Sequence, residues 1–234
     1  MGYQRTVGEL KGLGIRVSAT TVRTWLRERA WTGWHSRAMT WREFVRAHRQ
    51  SVLAVDVFTV ETIWLQRLYV LFIIELGSRR VHLAGCTLTP NALWVTQQAR
   101  HVTWMLADRP ERLRFLIRDR DQKFTDRFDE VFRADGIEVV RTSFRVPQAN
   151  GVAERFVRTA RSECLEWMLI LNQQHLARVL DVFVTHYNEH RPHRALSLVS
   201  PEPRRASVAL SAGELRVHRR DRLGGVVHEY VLAA

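Results

Sequence analysis

Apolar residues in the middle of the chain form five short runs, each of which predicts a β-strand. Three longer runs come first and two shorter ones follow, with Gly77-Ser78 as a predicted turn before the third. Alternate residues of the first run share one face, and that face includes a single carboxylate, Asp56. The five predicted strands are residues 51–60, 67–74, 79–86, 113–117 and 137–140.

Helical patterns separate the later strands. Thr89 is predicted to cap the first of these helices, and Gly136 to close the second. The last helix has to stop before Pro192, because proline disfavours helical backbone in the residue that precedes it. The predicted helices are residues 89–107, 125–134, 152–171 and 174–186. The order βββ-α-β-α-β-α predicts a mixed five-stranded sheet with helices on its faces, which is the α/β class.

Smaller segments flank this predicted core. The N-terminal residues form two short predicted helices around a turn, with Arg23 and Arg27 on the second. This pattern is typical of part of a helix-turn-helix, and a solvated helical hairpin is the alternative. A basic, tryptophan-rich linker follows, for which nucleic-acid contact and docking on the next domain are equally open. Gly224-Gly225 predicts a β-hairpin near the C-terminus. The predicted segments are residues 1–31, 32–50, 51–196 and 197–234.

The charge balance points to a partner rather than to a fold. The 234 residues carry 36 Lys and Arg against 24 Asp and Glu, a formal charge of +12. This charge favours a polyanion such as nucleic acid, and a merely basic or ribosome-associated protein is the alternative. The longest apolar run, Leu68 to Ile74, is too short to cross a membrane, and no signal peptide begins the chain. Two isolated cysteines, Cys86 and Cys164, suit reduced thiols in a cytoplasmic protein.

Three carboxylates in this basic chain are candidates for a metal site. Asp56 interrupts a strand, Asp119 directly follows another, and Glu154 lies in the first turn of a helix, 34 residues beyond Asp119. A buried carboxylate has to be paired, hydrogen-bonded or metal-bound, and Asp56 taken alone favours structural pairing. Taken together, the three supply the hard oxygen ligands that a pair of divalent ions needs for displacement at phosphorus.

Arginines accompany the third carboxylate. Glu154, Arg158 and Arg161 fall on one helix face at positions i, i+4 and i+7. The simplest interpretation is a solvated Glu–Arg pair, which stabilises a helix by only a few tenths of a kcal/mol. The other interpretation is a metal ligand with contacts to DNA phosphates behind it. The spacing from Asp119 favours this second interpretation.

This arrangement resembles the integrase core of bacterial insertion-sequence transposases, which are related to retroviral integrases. That family carries a strand Asp, then Asp-Arg-Gly-x-x-Phe, then Asn-Ala-x-x-Glu. Here the second and third motifs appear as residues 119–124 and 150–154. The segment Tyr187-Asn188-x-x-Arg191-Pro192-His193 is similar to the family's tail signature, and residues 3–30 resemble its helix-turn-helix. The resemblance covers about residues 3–200, in the family's order.

The resemblance implies a ribonuclease-H-like fold and a role in DNA recombination. In this family, metal-activated water nicks the element's end and the resulting 3′-hydroxyl attacks target DNA, with no covalent protein–DNA intermediate. Asp56, Asp119 and Glu154 would hold Mg²⁺ or Mn²⁺, expected as two ions. The implied partners are double-stranded DNA and further copies of the chain in a synapse, and no membrane. The expected DNA contacts are Arg158, Arg161, Arg155, Asn150, Arg23 and Arg27, with His193 as a weaker supporting residue.

Some departures from the family pattern leave questions open. Asp121 stands where the family has glycine, so it competes with Asp119 as a ligand, and the spacing to Glu154 is one residue short. The N-terminal unit is shorter than in a complete family member, so a complete and a shortened transposase both remain open. The rival functions are another ribonuclease-H-like nuclease and a non-catalytic, DNA-binding remnant of a transposon.

Overall fold

The computed structural model describes most of the chain from residue 41 onward. The described residues are 7, 17–18, 20–21, 41–107, 109, 112–141, 151–203 and 216–233. The chain divides into two units, Met1–Phe44 and Val45–Ala234, and the sheet lies in the second. The predicted helix-turn-helix, with Arg23 and Arg27, lies almost entirely outside the described residues. The division into four segments stays a prediction.

A mixed five-stranded sheet forms the centre of the second unit, so the predicted α/β class is confirmed. The strand order is β3-β2-β1-β4-β5, with β1, β2 and β3 antiparallel and with β4 and β5 parallel to β1. Each strand lies within two residues of its predicted bounds. The strands are β1 (Val52–Glu61), β2 (Arg67–Glu75), β3 (Val81–Thr87), β4 (Phe115–Arg118) and β5 (Glu138–Arg141).

Helices cover both faces of the sheet. The described helices are α1 (Trp41–His48), α2 (Ala92–Leu106), α3 (Asp126–Ala134), α4 (Gly151–Glu163) and α5 (Gln173–Glu189). On one face, α2 and α3 pack on β1 and β2 through a buried aliphatic and aromatic cluster that includes Leu53, Leu71, Val102 and Phe128. Within the described ranges, none of the helices is long and apolar enough to span a bilayer.

Aromatic side chains join α4 and α5 to the opposite face. Phe72 of β2 lies 4.7 Å from Phe156 of α4 between ring centroids, and Phe156 lies 5.1 Å from Tyr187 of α5. Ala153 and Ala160 of α4 are fully buried. Small residues at these positions let the α4 backbone pack closely on the sheet. This packing fixes the distance of Glu154, which follows Ala153, from the sheet.

Three helix boundaries differ from the predictions by three residues or more, and one of them is the end of α5, which is at Glu189 and not at residue 186. Helix α2 begins at Ala92 and not at Thr89, because the Asn91 side chain accepts the Trp94 N–H at 2.9 Å and so caps the helix. Helix α4 ends at Glu163 and not at residue 171. The Trp167 indole donates to the carbonyl of Ser162 at 2.9 Å, and the chain then turns so that Ile170 is buried. The predicted stop at Gly136, which has a φ of +75°, is confirmed.

Helix α5 is attached to strand β3 at both of its ends. Near its start, the Gln173 side-chain amide donates to the carbonyl of Cys86 at 2.9 Å. Near its end, the Asn188 amide accepts the Val81 N–H at 2.9 Å and donates to the Val81 carbonyl at 2.8 Å. Because Asn188 satisfies both backbone groups of one residue, it fixes the position of the helix end relative to the start of β3.

The predicted C-terminal hairpin is present as β6 (Arg216–Arg222) and β7 (Val227–Ala233). Gly224 and Gly225 in its turn have φ values of +67° and +93°, which glycine adopts readily. Val227 and Glu229 of β7 are buried. The Glu229 carboxylate lies 3.4 Å from Arg222 and 3.8 Å from His190 just after α5, so the hairpin packs against the end of that helix.

Candidate active site

The register between β1 and β4 brings two of the predicted carboxylates together. These strands are parallel, and their last paired residues are Ala54 and Ile117. Asp56 lies two residues beyond Ala54 in β1, and Asp119 lies two residues beyond Ile117, directly after the end of β4. Since side chains alternate along a strand and neighbouring strands run about 5 Å apart, both carboxylates emerge side by side on the face that α4 covers.

Asp56 lies in a strongly acidic environment. Its pKa is raised to about 6, mainly by burial and also by the charges of Asp119, Glu154 and Asp121, while a 2.8 Å hydrogen bond from the Val57 N–H opposes this rise. Of the three predicted ligands, Asp56, Asp119 and Glu154, the last two therefore lie within electrostatic range of the first. Among the described residues, no Arg, Lys or His forms an ion pair with any of these three. The alternative of structural pairing for Asp56 has no support in the described part of the chain.

The loop after β4 distinguishes Asp119 from Asp121. Asp119 accepts the backbone N–H of Asp121 at 3.1 Å. Asp121 accepts the backbone N–H of Lys123 at 3.0 Å and forms an ion pair with its ammonium at 2.7 Å. Burial alone would raise the pKa of Asp121, but the hydrogen bonds and charge of Lys123 lower it. Lys123 thus neutralises Asp121, whereas the charge of Asp119 is not neutralised by any described cation.

A buried ion pair fixes the backbone at Asp119, and the sequence reasoning missed it. Arg118, the last residue of β4, is bidentate to Asp129 of α3 at 2.7 and 2.9 Å, and both side chains are buried. The same guanidinium donates to the Asp119 carbonyl at 2.8 Å. Arg141 of β5 also contacts Asp129 at 2.7 Å. An arginine inside a buried strand requires an acidic partner, which is the signal that could have indicated Asp129.

Helix α4 presents Glu154 and its arginines to solvent. Glu154 and Arg158 form no ion pair with each other, so the simple i,i+4 interpretation does not describe this structure. Arg161 donates to the Thr59 carbonyl at 2.8 Å and lies over the Phe58 ring, which ties α4 to β1. Arg155 lines a separate pocket with Tyr187. Asn150 lies outside the described residues.

The donor chemistry of this group fits a hard divalent cation, because carboxylate oxygens are the ligands that Mg²⁺ and Mn²⁺ prefer. As they stand, no three His, Cys, Asp or Glu side chains in the described ranges come close enough together to hold one ion. Like charges without a cation repel one another, and two of the carboxylates bind nearby backbone N–H groups. The residues that would hold a metal are Asp56, Asp119 and Glu154.

The fold is that of a ribonuclease-H-like integrase catalytic core. The HTLV-2 integrase catalytic core domain, solved in complex with magnesium, has a similar structure with a TM-score of 0.51 at 12% identity. The likeness covers 65% of this chain and 93% of that one. It shows the fold, since the sequences are too dissimilar to show more.

The sequence comparisons lead to insertion elements. Residues 135–201 match the family model of the integrase core domain. An uncharacterized protein of insertion element IS136 from Agrobacterium fabrum is 30% identical over 86 residues, which are 36% of this chain and 44% of that protein. The putative transposase InsD of insertion element IS2E from Escherichia coli is 38% identical over 66 residues, which are 28% of this chain and 30% of that protein. The matches thus span less than half the length of these relatives. Part of this chain is thus similar to an integrase core domain and to proteins of insertion elements, among them a putative transposase, which confirms the predicted resemblance.

Proposed function

We propose that the protein is a transposase that cleaves DNA strands at the ends of an insertion element and joins them to target DNA. One observation carries the proposal. The β1–β4 register places Asp56 beside Asp119, the charges of Asp119 and Glu154 both act on Asp56, and no described cation pairs with any of the three. The names of the IS2 relatives, which are transposases, support the same conclusion.

In this proposal, Asp56, Asp119 and Glu154 hold two Mg²⁺ or Mn²⁺ ions. Such a pair of ions supplies activation of the attacking oxygen and stabilisation of the leaving oxygen in displacement at phosphorus. The role of the chain is to hold the ligands in place before DNA arrives. The Arg118–Asp129 ion pair fixes the backbone at Asp119, and the aromatic contacts of Phe156 fix the start of α4.

The proposed substrate is double-stranded DNA, first the element ends and then the target. Arg158 and Arg161 lie on the same side of α4 as Glu154, where they would contact phosphates and so orient the strand. Arg155, Asn150, Arg23 and Arg27 are the further proposed DNA contacts. Because an element has two ends, we propose that copies of the chain assemble in a DNA synapse, in the cytoplasm.

The test uses purified protein with duplexes taken from the DNA that flanks its coding sequence. Asp56→Asn and Glu154→Gln should abolish Mg²⁺-dependent cleavage while leaving DNA affinity within a few fold of wild type. Asp181→Asn, at an exposed acid of α5, is the matched control and should cut normally. Cleavage by either site variant contradicts the proposal.

A second substrate separates the proposed reaction from the rival functions. It is a pre-nicked duplex with a free 3′-hydroxyl at the element end, supplied together with target DNA. A transposase should join the two, whereas a nuclease of another kind should only degrade them. Wild-type protein that binds this DNA with neither activity would be a DNA-binding remnant.

A further inference from the structure

A cationic pocket adjoins Glu154 on α4, and of its residues the proposed function uses only Arg155. We call it the arginine pocket. Its volume is about 290 Å³, and its polar lining consists of Arg79, Arg155, Arg191, Arg194, Tyr187 and His193. Arg155 directly follows Glu154 on α4, and Val152 of the same helical turn also lines the pocket. The other residues come from the turn before β3 and from the end of α5 and the loop after it.

The positive charge of this pocket is largely uncompensated. Arg191 is bidentate to Glu163 of α4, at 2.8 and 2.6 Å. Arg79, Arg155 and Arg194 form no ion pair with any described acid. Burial lowers the pKa of Arg79, and the charge of Arg155 lowers it further, because the two cations repel each other. These like charges repel one another, and an anion bound between them would offset the repulsion.

His193 adds a buried polar atom without a partner. One nitrogen of its ring is hydrogen-bonded to the backbone of Tyr187. The other, Nε2, is buried and has no hydrogen-bond partner among the described residues. Buried polar atoms are almost always hydrogen-bonded in folded proteins, so an exception of this kind points to a missing ligand.

The walls of the pocket are fixed by specific contacts. The Tyr187 ring meets the His193 ring edge-on, with 4.6 Å between centroids. The backbone N–H of His193 donates to the Val199 carbonyl at 3.1 Å and closes the loop between these two residues. Asn188 holds the start of β3 to α5, which sets the distance between Arg79 and this loop.

The backbone of Arg79 is itself unusual. Its φ is +66°, in the left-handed region where glycine is favoured and where a long side chain costs about 1 kcal/mol or more. An arginine at such a position is unfavourable for the turn. Arg79 nevertheless lines the pocket, and its charge accounts for an arginine at this position better than the turn does.

We propose that the arginine pocket binds a phosphate group of the DNA backbone, on the strand that passes the candidate active site. The inference rests on the proposed function. Guanidinium groups match phosphate oxygens in pairs, and Arg79, Arg155 and Arg194 line one pocket without an acidic partner among the described residues. Each conspicuous residue of the tail signature then has a role. Tyr187 and Arg191 build the wall, Asn188 fixes β3, and His193 contacts the anion.

The experiment measures DNA affinity against salt concentration in EDTA, where cleavage cannot occur. The double variant Arg79→Gln/Arg194→Gln should bind duplex DNA about tenfold more weakly, which corresponds to the loss of a charge-assisted hydrogen bond. The slope of log K against log salt should fall by about one unit for the lost phosphate contact. The control is Arg178→Gln, an exposed arginine 180° around α5 from Tyr187, which should change neither quantity.

Thermal unfolding separates a binding role from a structural one. Removing mutually repelling charges should leave the unfolding midpoint of the double variant equal to that of wild type or higher. A lower midpoint together with an unchanged salt slope would make the arginines structural and overturn the proposal. An unchanged slope in a variant of normal stability overturns it as well.

Inorganic phosphate distinguishes the source of the anion. Phosphate should compete with DNA only weakly, and it should shift the ring resonances of His193 in wild type but not in the double variant. If phosphate shifts His193 while the DNA salt slope is the same in both proteins, the pocket takes a free anion, and the DNA assignment is wrong.

If wild type cuts DNA but the variants bind normally, this inference fails and the proposed function stands. If the variants lose affinity but wild type never cuts DNA, the pocket binds DNA and the proposed transposase function fails.

Discussion

At the scale of single residues, Asp56 lowers the stability of the metal-free protein. Its pKa of about 6 lies above its ordinary value of 3.8, first because the residue is buried and then because of the acids around it. The folded protein therefore binds this proton more tightly than the unfolded chain does. It follows that the free energy of unfolding falls as pH rises through this window, and that the full penalty is present above pH 6.

We expect Asp56→Asn to raise the free energy of unfolding by about 1–3 kcal/mol at pH 7 in EDTA, because it removes that charge. The gain should disappear near pH 3, below both pKa values, where wild-type Asp56 is largely protonated in the folded and in the unfolded state. Calorimetry at the two pH values measures the difference, with Asp181→Asn as the control. A variant less stable than wild type at pH 7 would show that Asp56 has a stabilising partner.

Asp119 and Asp121 should respond differently to substitution. Lys123 already neutralises Asp121, and a carboxylate held in this way is a poor metal ligand. We therefore expect Asp119→Asn to abolish Mg²⁺-dependent cleavage. Asp121→Asn should keep at least a tenth of the wild-type rate, which corresponds to an activation barrier higher by no more than about 1.4 kcal/mol. Cleavage rates at saturating Mg²⁺ decide this. Equal loss in both variants would make Asp121 a ligand too.

At the scale of elements, the junction of β4 and α3 depends on a buried charge pair. Asp129→Ala would leave the Arg118 guanidinium buried without its partner, which we expect to lower the free energy of unfolding by about 3–5 kcal/mol. Asp126→Ala is the control, since that acid is exposed and its contact with Arg141 should contribute less than about 1 kcal/mol. Urea unfolding of both variants compares the losses. Equal, small losses would mean that the buried pair holds β4 only weakly.

The end of β2 is similarly held by Glu75. Burial alone would raise its pKa, but hydrogen bonds from His82 and Ser78, together with the charge of Arg109, lower it to about 2 from 4.5. A lowered pKa means that the stabilisation is complete above pH 4.5 and is lost as pH falls towards 2. Glu75→Gln should therefore unfold more easily than wild type at pH 7, by about 3 kcal/mol, and the difference should vanish near pH 2. Unfolding curves at both pH values test this sign.

The elements differ in how far local sequence specifies them. The strands follow from apolar alternation, which is a local property, and so does the placement of Asp56 in mid-strand. The end of α4 depends on Trp167 and Ile170, whose contacts are tertiary, so the apolar pattern there predicted a helix that continues. The Arg118–Asp129 pair and the arginine pocket depend on distances between separate elements, and no periodicity along the chain encodes those distances. The β1–β4 register, which places Asp119 beside Asp56, is likewise visible only in the folded sheet.

At the scale of the whole molecule, the charge of +12 should dominate the binding of DNA. We expect Arg158→Ala, at an exposed and unpaired position on α4, to weaken DNA binding and to reduce the salt slope by about one unit. Fluorescence anisotropy across a salt series measures both. An unchanged slope would mean that Arg158 does not contact a phosphate, whatever the effect on cleavage.

The attachment of α5 to β3 has a consequence for how copies of the protein can meet. β3 is one of the two outer strands of the sheet, and an outer strand with free backbone groups is a template for adding a strand from another chain. The side chains of Gln173 and Asn188 occupy backbone groups near both ends of β3. Helix α5 therefore protects this edge against strand exchange and aggregation. Any assembly of several copies on DNA would have to proceed through side-chain surfaces rather than through a continuous intermolecular sheet at β3.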